Sequence, residues 1–175
     1  MNRKLGVVTL LVGLFVAGCV QSTADVSDVA AGDPFVWPTF DEAIAAASES
    51  GKPILIDIYA PWCGWCRKMQ KEVYGNNTLV AYVKEHFEYG RLNIDDSETQ
   101  HDFMNYELTS QELGNALGAR GTPTTVFLEQ DGTYITRLDG YWALEPFGKA
   151  IKFIGSGAYQ NQKYEDYLSS LPSGS

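Results

Sequence analysis

The chain has 175 residues, of which 45% are hydrophobic and 13% aromatic, and this composition suits one compact domain rather than a disordered, collagenous or multi-span membrane protein. Thirteen Lys and Arg against 22 Asp and Glu give a net charge of −9, so no nucleic-acid partner is expected, because phosphates require a basic face. Three cysteines are too few for a scaffold built on disulfides.

Residues 1–18 have the pattern of a secretory signal peptide. Three polar and basic residues are followed by an almost entirely apolar run over residues 5–17, which is too short to cross a bilayer as a helix of about 20 residues. The run ends in Val16-Ala-Gly-Cys19, which resembles the bacterial lipoprotein box. That resemblance implies cleavage before Cys19 and a lipid on its sulfur. The alternative is an ordinary cleaved signal followed by a spare cysteine.

Residues 19–34 are predicted to be the lipidated cysteine and a flexible tether, since they are small or polar and contain no aromatic residue. A lipid anchor would hold the domain at a membrane, which an anionic body cannot do by charge alone. The expected location is therefore the bacterial cell envelope, facing the periplasm or the exterior, where disulfides persist.

The folded domain is predicted over residues 35–172. Helices are indicated by capping boxes at Thr39 and Thr109 and by amphipathic patterns, and strands by short apolar runs. This alternation, closed by a hairpin at Asp131-Gly132, predicts an α/β fold with a mixed central sheet flanked by helices on both faces. The predicted helices occupy residues 39–51, 63–73, 78–86, 109–117, 145–154 and 161–169, and the predicted strands residues 53–59, 87–94, 124–129 and 134–138.

Residues 96–108 are polar but include Phe103, Met104 and Tyr106. Two interpretations remain open for this stretch. It is either a partner-binding insertion or a solvated loop, and the loop is favoured.

The sequence Cys63-Gly-Trp-Cys66 carries the chemistry, because it follows a predicted buried strand and opens a helix. Unpaired N–H groups and the dipole at a helix N-terminus stabilise a thiolate, and Arg67 and Lys68 add positive charge. A lowered pKa makes Cys63 the expected attacking thiol at neutral pH. Cys66, expected to be less exposed, can then resolve a mixed disulfide.

Two other interpretations of the cysteine pair are weaker. A structural zinc site needs about four ligands, and the spacing of His86 and His101 from the pair fits no finger pattern. A static disulfide across two residues constrains the chain little. No metal and no cofactor are expected, since no flavin or nicotinamide fingerprint is present.

Three segments together resemble the thioredoxin family over roughly residues 35–155. They are Trp62-Cys-Gly-Trp-Cys66, the strand ending Ile-Asp57-Ile-Tyr-Ala-Pro, and Gly121-Thr-Pro-Thr. The resemblance implies a thioredoxin fold. A looser resemblance, from Arg-Lys-Met after the second cysteine and from the tyrosine-containing tail over residues 157–168, points to exported lipoprotein thioredoxin-like proteins of the sulfur-oxidation type.

The family resemblance implies roles for individual residues. Pro123 matches the cis-proline beside the cysteine pair, which would leave the backbone of Thr122 free to pair with an extended substrate strand. The alternative is a trans proline at a strand start. Asp57 matches the buried acid that takes the proton from Cys66, unless it is a satisfied core aspartate. Arg91 stands where the family has a lysine near that acid.

The dipeptide between the cysteines departs from the family's Gly-Pro, since Trp65 replaces the proline. Trp62 and Trp65 would then form an apolar platform for a partner, or would simply pack at the helix start.

The predicted function is a membrane-anchored thiol–disulfide oxidoreductase that reduces disulfides of exported proteins and is recharged by a membrane thiol reductant. The alternatives are a disulfide oxidase or isomerase, and a non-catalytic binding module or assembly chaperone.

Overall fold

The computed structural model describes residues 35–172. The predicted signal peptide, Cys19 and the tether over residues 19–34 lie outside this range. Within it, no helix is long and apolar enough to span a bilayer.

The described residues form six α-helices and six strands. Both predicted capping boxes are present, with the Thr39 and Thr109 hydroxyls accepting the backbone N–H of Glu42 and Glu112. The helices are α1 (Phe40–Ser50), α2 (Gly64–Glu72), α3 (Asn77–His86), α4 (Ser110–Ala116), α5 (Leu144–Gly155) and α6 (Tyr164–Ser170), and a 3₁₀ turn covers Ala158–Gln160. The strands are β1 (Ile54–Tyr59), β2 (Glu88–Asn93), β3 (Gln100–Phe103), β4 (Tyr106–Thr109), β5 (Thr124–Leu128) and β6 (Tyr134–Asp139).

The main sheet has the strand order β2-β1-β5-β6. β1 is parallel to β2 and antiparallel to β5, and β5 is antiparallel to β6. The predicted mixed sheet and its closing hairpin at Asp131-Gly132 are therefore confirmed.

The sheet separates two hydrophobic cores, because alternate residues of a strand point to opposite faces. Ile54, Ile56 and Ile58 of β1 pack with α1 and α4 on one face. Leu55 packs with α2, α3 and α5 on the other face. The run of β1 is thus buried on both faces, as its near-continuous apolar sequence predicted.

The outer edge of β2 is covered by the segment that leads into α1. The Arg91 N–H donates to the Pro38 carbonyl at 2.9 Å. A Cβ added to Gly90 would come within 2.6 Å of the Thr39 carbonyl oxygen, so the close approach of α1 to β2 requires glycine there. This segment also brings Trp37 over the site described below.

Residues 96–108 do not form a solvated loop, and that favoured interpretation is wrong. They contain the antiparallel hairpin β3–β4, whose turn places Met104 and Asn105 at φ values of 50° and 69°. His101 and Phe103 alternate with exposed residues and so share the buried side of the hairpin. Phe103 meets the ring of Phe40, with ring centroids 5.4 Å apart.

His101 fastens the hairpin to two helices. Its Nδ1 lies 2.9 Å from the Asp41 carboxylate of α1, and its Nε2 lies 2.7 Å from the Ser110 hydroxyl of α4. His101 is 5% exposed. The alternation of buried and exposed side chains explains why a mostly polar sequence folds into an ordered element.

Candidate active site

The cysteine pair lies where β1 leads into α2. After β1 ends, the Cys63 N–H donates to the Ala60 carbonyl at 3.0 Å, which turns the chain into the helix. Cys63 is the N-cap of α2, and its Sγ accepts the backbone N–H of Cys66 at 3.0 Å. The two cysteines form a disulfide with Cα atoms 5.3 Å apart. The helix terminus thus supplies a hydrogen bond to the sulfur that would carry negative charge after reduction.

The two sulfur-bearing residues are equally buried in this disulfide form, each 3% exposed. The expectation that Cys66 is the less exposed of the two is therefore wrong for this form. The reason is that the Cys63 sulfur is bonded back onto the first turn of α2, beside Ala60, Tyr59 and Ile94.

Trp62 directly precedes Cys63 and Trp65 directly precedes Cys66, and the two residues are 69% and 58% exposed. The Trp62 indole N–H donates to the Asp95 carboxylate. Trp65 lies against Tyr141, with ring centroids 5.5 Å apart, and the Lys68 ammonium lies 5.0 Å from the Trp65 ring. Both indoles thus have contacts at the start of α2 and are largely exposed, and their role as a partner platform remains a prediction.

The Thr122–Pro123 peptide bond is cis, as the family resemblance implied. Pro123 directly precedes β5, whose first residue, Thr124, pairs with Ile58 near the end of β1. The same end of β1 leads to Cys63, so the topology brings both segments to one end of the sheet. Within residues 35–172 the backbone of Thr122 makes no hydrogen bond, and its buried hydroxyl has no partner.

Asp57 lies on β1 beneath α2 and is 1% exposed. Its Oδ2 accepts the Arg91 Nε–H at 3.0 Å and the Gln70 Nε2–H at 3.2 Å. Arg91 is the register partner of Asp57 on β2, and its guanidinium also stacks 3.9 Å from the centroid of the Tyr59 ring. Asp57 is therefore a paired carboxylate, with Arg91 as its countercharge.

A family model described as thioredoxin-like domain matches residues 40–155. The chain belongs to this thioredoxin-like family. One curated relative is the chloroplastic thioredoxin-like protein HCF164 of Arabidopsis thaliana, which is 27% identical over 75% of this chain and 43% of that protein. Another is the disulfide bond reductase DsbH of Chlamydia pneumoniae, which is 26% identical over 65% of this chain and 66% of that protein. The chain thus spans from under half to about two thirds of the lengths of these relatives.

A solved structure of a thioredoxin-fold protein from Helicobacter pylori is also similar to this chain. It is 29% identical, has a TM-score of 0.60, and aligns over 68% of this chain and 78% of that one. The thioredoxin fold expected from the sequence is confirmed. The C-terminal 3₁₀ turn and α6 lie beyond the residues that the family model matches.

Two residues of the thioredoxin-like site were missed by the sequence analysis. Gln70 is 9% exposed and joins Asp57 to Trp37, whose indole N–H donates to Gln70 Oε1 at 3.0 Å. One signal was available for Gln70, because it follows Cys66 by four residues and so shares its buried face of α2. No local signal identifies Trp37, which lies 33 residues away in sequence.

No metal centre accompanies the cysteines in the described part of the chain. No group of three or more His, Cys, Asp or Glu side chains converges there as ligands would. His101 is occupied by Asp41 and Ser110.

Proposed function

We propose that this protein is a thiol–disulfide oxidoreductase that reduces disulfides of exported proteins, with Cys63 attacking and Cys66 resolving. One observation carries the proposal. The Cys63 sulfur caps α2 and accepts the Cys66 N–H at 3.0 Å, which is the placement that favours a nucleophilic thiolate. Membership of the thioredoxin-like family supports the same chemistry.

The reaction consumes one substrate disulfide and two protein thiols. The Cys63 thiolate attacks a substrate sulfur, forming a mixed disulfide and releasing the first substrate thiolate. The Cys66 thiol then passes its proton to Asp57 and attacks the Cys63 sulfur, which forms the Cys63–Cys66 disulfide and releases the second substrate thiolate. The substrate gains two electrons and the protein loses them.

Substrate docking is proposed along the segment that contains the cis-proline. The backbone N–H and C=O of Thr122 make no hydrogen bond within the described residues, so they can pair with an extended chain. Pro123 shapes this segment, and the exposed residues Trp62 and Trp65, each next to a cysteine in sequence, would provide apolar surface.

We propose reduction as the physiological direction because one relative is named a disulfide bond reductase. A membrane thiol reductant would then return two electrons to the Cys63–Cys66 pair after each turnover. We further propose that residues 1–18 are a lipoprotein signal, that Cys19 carries the lipid, and that residues 19–34 tether the domain in the bacterial cell envelope. An exported location is compatible with a disulfide-exchange function.

A trapping variant tests the proposal. Cys66→Ser removes the resolving thiol, so disulfide-bearing exported proteins should accumulate covalently on Cys63 and should be released by reductant. Non-reducing electrophoresis and mass spectrometry identify the adducts. Cys63→Ser is the matched control and should trap nothing.

Three outcomes separate the alternatives. Trapped partners together with a reduction potential of the Cys63–Cys66 pair near that of cytosolic thioredoxin, about −270 mV, support a reductase, whereas a potential near −120 mV indicates an oxidase. Absence of any adduct, together with noncovalent capture of the same partners by the double-serine protein, would show a binding module and refute the redox function.

A further inference from the structure

We propose that Gln70, oriented by Trp37, is a positioning residue for the resolution step, because its hydrogen bond keeps Asp57 ionised until Asp57 accepts the proton of Cys66. This inference rests on the proposed redox function. The group involved is the buried side-chain amide of Gln70 between α2 and β1, and not the sulfur atoms of Cys63 and Cys66.

The orientation of the Gln70 amide is determined by Trp37. An indole N–H can only donate a hydrogen bond, and it lies 3.0 Å from Gln70 Oε1. The oxygen end of the amide is therefore turned to Trp37. The NH₂ end is left for Asp57, whose Oδ2 lies 3.2 Å from Gln70 Nε2. A donor fixed in this way stabilises the charged form of a carboxylate over its protonated form.

The position of Gln70 along α2 links this amide to the resolving thiol. Residues four apart lie one above the other on a helix, and Cys66 and Gln70 are both buried. Asp57 is the acid that contacts this face of α2 from β1. A change at Gln70 therefore reaches the thiol chemistry through Asp57 and needs no contact with a sulfur.

Among the described residues, Arg91 and Tyr74 also face Asp57. Arg91, from β2, donates to the same Oδ2 at 3.0 Å and cannot release its proton. Tyr74 follows α2, and its pKa is raised well above the usual value by burial first and by the charge of Asp57 next, so it stays neutral. Gln70 is thus an uncharged contact of Asp57 that a substitution can change, whereas Arg91 is a permanent charge and Tyr74 does not ionise.

The experiment that tests this role measures only the resolution step, in which Cys66 attacks the mixed disulfide at Cys63. The reduced protein is mixed with one equivalent of the symmetric disulfide of 5-thio-2-nitrobenzoate. The Cys63 thiolate displaces the first coloured thiolate and forms the mixed disulfide, and the second coloured thiolate is released when Cys66 attacks the Cys63 sulfur. The rate is measured from about pH 5 to about pH 9. In the wild-type protein, the rate should rise with pH through a midpoint that reports Asp57 and Cys66 as a coupled pair.

Loss of the Gln70 donor should raise the proton affinity of Asp57. Gln70→Met should therefore move the midpoint upward by about one pH unit, the equivalent of one hydrogen bond to a charged group. Gln70→Glu should move it further, because two neighbouring carboxylates share a proton. Trp37→Phe keeps a ring but removes the N–H, so its shift should have the same direction and be smaller.

Two controls separate positioning from structural damage. Val73→Ala removes packing from a fully buried residue near the end of the same helix and should lower stability without moving the midpoint. On an Asp57→Asn background, Gln70→Met should cause no further shift, because the group through which it acts is gone.

The outcomes are distinguishable. Normal wild-type resolution with unchanged midpoints in Gln70→Met and Gln70→Glu would overturn the positioning role alone. A shift that persists on the Asp57→Asn background would also overturn it, since Gln70 would then act by another route. A wild-type protein that never resolves the mixed disulfide would refute the proposed function and the positioning role together.

Discussion

Cys63 has two tasks, since the sulfur that would attack a substrate is also the atom that caps α2. Its Sγ accepts the Cys66 N–H at 3.0 Å, and a charged acceptor at a helix N-terminus typically gains about 0.3–1 kcal/mol from the helix dipole alone. The hydrogen bond adds to this, because bonds to ionised groups are the stronger ones. Cys66 lies within the first turn and lacks the capping position.

This difference predicts the order in which the reduced thiols react. Near pH 7, a limiting amount of iodoacetamide should label Cys63 well before Cys66, because alkylation requires the thiolate. Peptide mapping by mass spectrometry gives the order, and the urea-unfolded protein, in which both thiols are free of the helix, is the control. Faster labelling of Cys66 would reverse the roles assigned to the two cysteines.

The hairpin β3–β4 shows how an element with few apolar residues can be held firmly. His101 bonds to Asp41 and Ser110 on two helices, and Phe103 meets Phe40. These contacts join the hairpin, α1 and α4 into one unit. Met104 and Tyr106 are exposed; Met104 lies at the turn, and Tyr106 is the register partner of Phe103 on β4.

The hydrogen bonds of His101 with Asp41 and Ser110 should contribute strongly to the stability of the protein. His101→Leu would leave the buried Ser110 hydroxyl without this partner, and we expect the free energy of unfolding to fall by about 2–3 kcal/mol. Urea denaturation followed by tryptophan fluorescence measures the change. Asp102→Ala, at the adjacent exposed position of β3, is the matched control and should change stability by less than about 0.5 kcal/mol. Equal stability of the two variants would mean that His101 contributes no more than a surface residue.

At the scale of the whole molecule, the redox chemistry and the anchoring are proposed to reside in separate parts of the chain. The fold, its two cores and the disulfide are complete within residues 35–172. The proposed lipid attachment at Cys19 lies outside that range. The full chain carries a net charge of −9, so acyl chains rather than charge would hold the domain at an anionic membrane.

Removal of the anchor should therefore leave the chemistry intact. Cys19→Ser should release the protein from the membrane fraction and leave the reduction potential of the Cys63–Cys66 pair unchanged, because no part of the described core involves residue 19. Fractionation with immunoblotting measures release, and the wild-type protein is the control. A variant that stays in the membrane fraction would refute lipid anchoring through Cys19.

Most of the fold could be predicted from the sequence because its signals are local. Capping boxes, the turn at Asp131-Gly132 and the apolar run of β1 depend on residues within one turn or one strand, so each placed its element correctly. The hairpin β3–β4 was missed because its buried side contains His101. A histidine is recognised as buried only when its partners, Asp41 and Ser110, are known, and both come from other elements.

The candidate site likewise contains residues that the sequence predicted and residues that only the structure identified. The sequence alone determined the reactive pair, since the spacing of Cys63 and Cys66 at a strand-to-helix junction is a local property, and the match to a known family added Asp57 and Pro123. Only the tertiary structure decided what surrounds them. The contacts of Gln70 with Trp37 and Asp57 connect residues 33 and 13 positions apart. Such contacts depend on how α2 packs on the sheet, and no periodicity in the chain encodes a hydrogen bond between side chains so far apart in sequence.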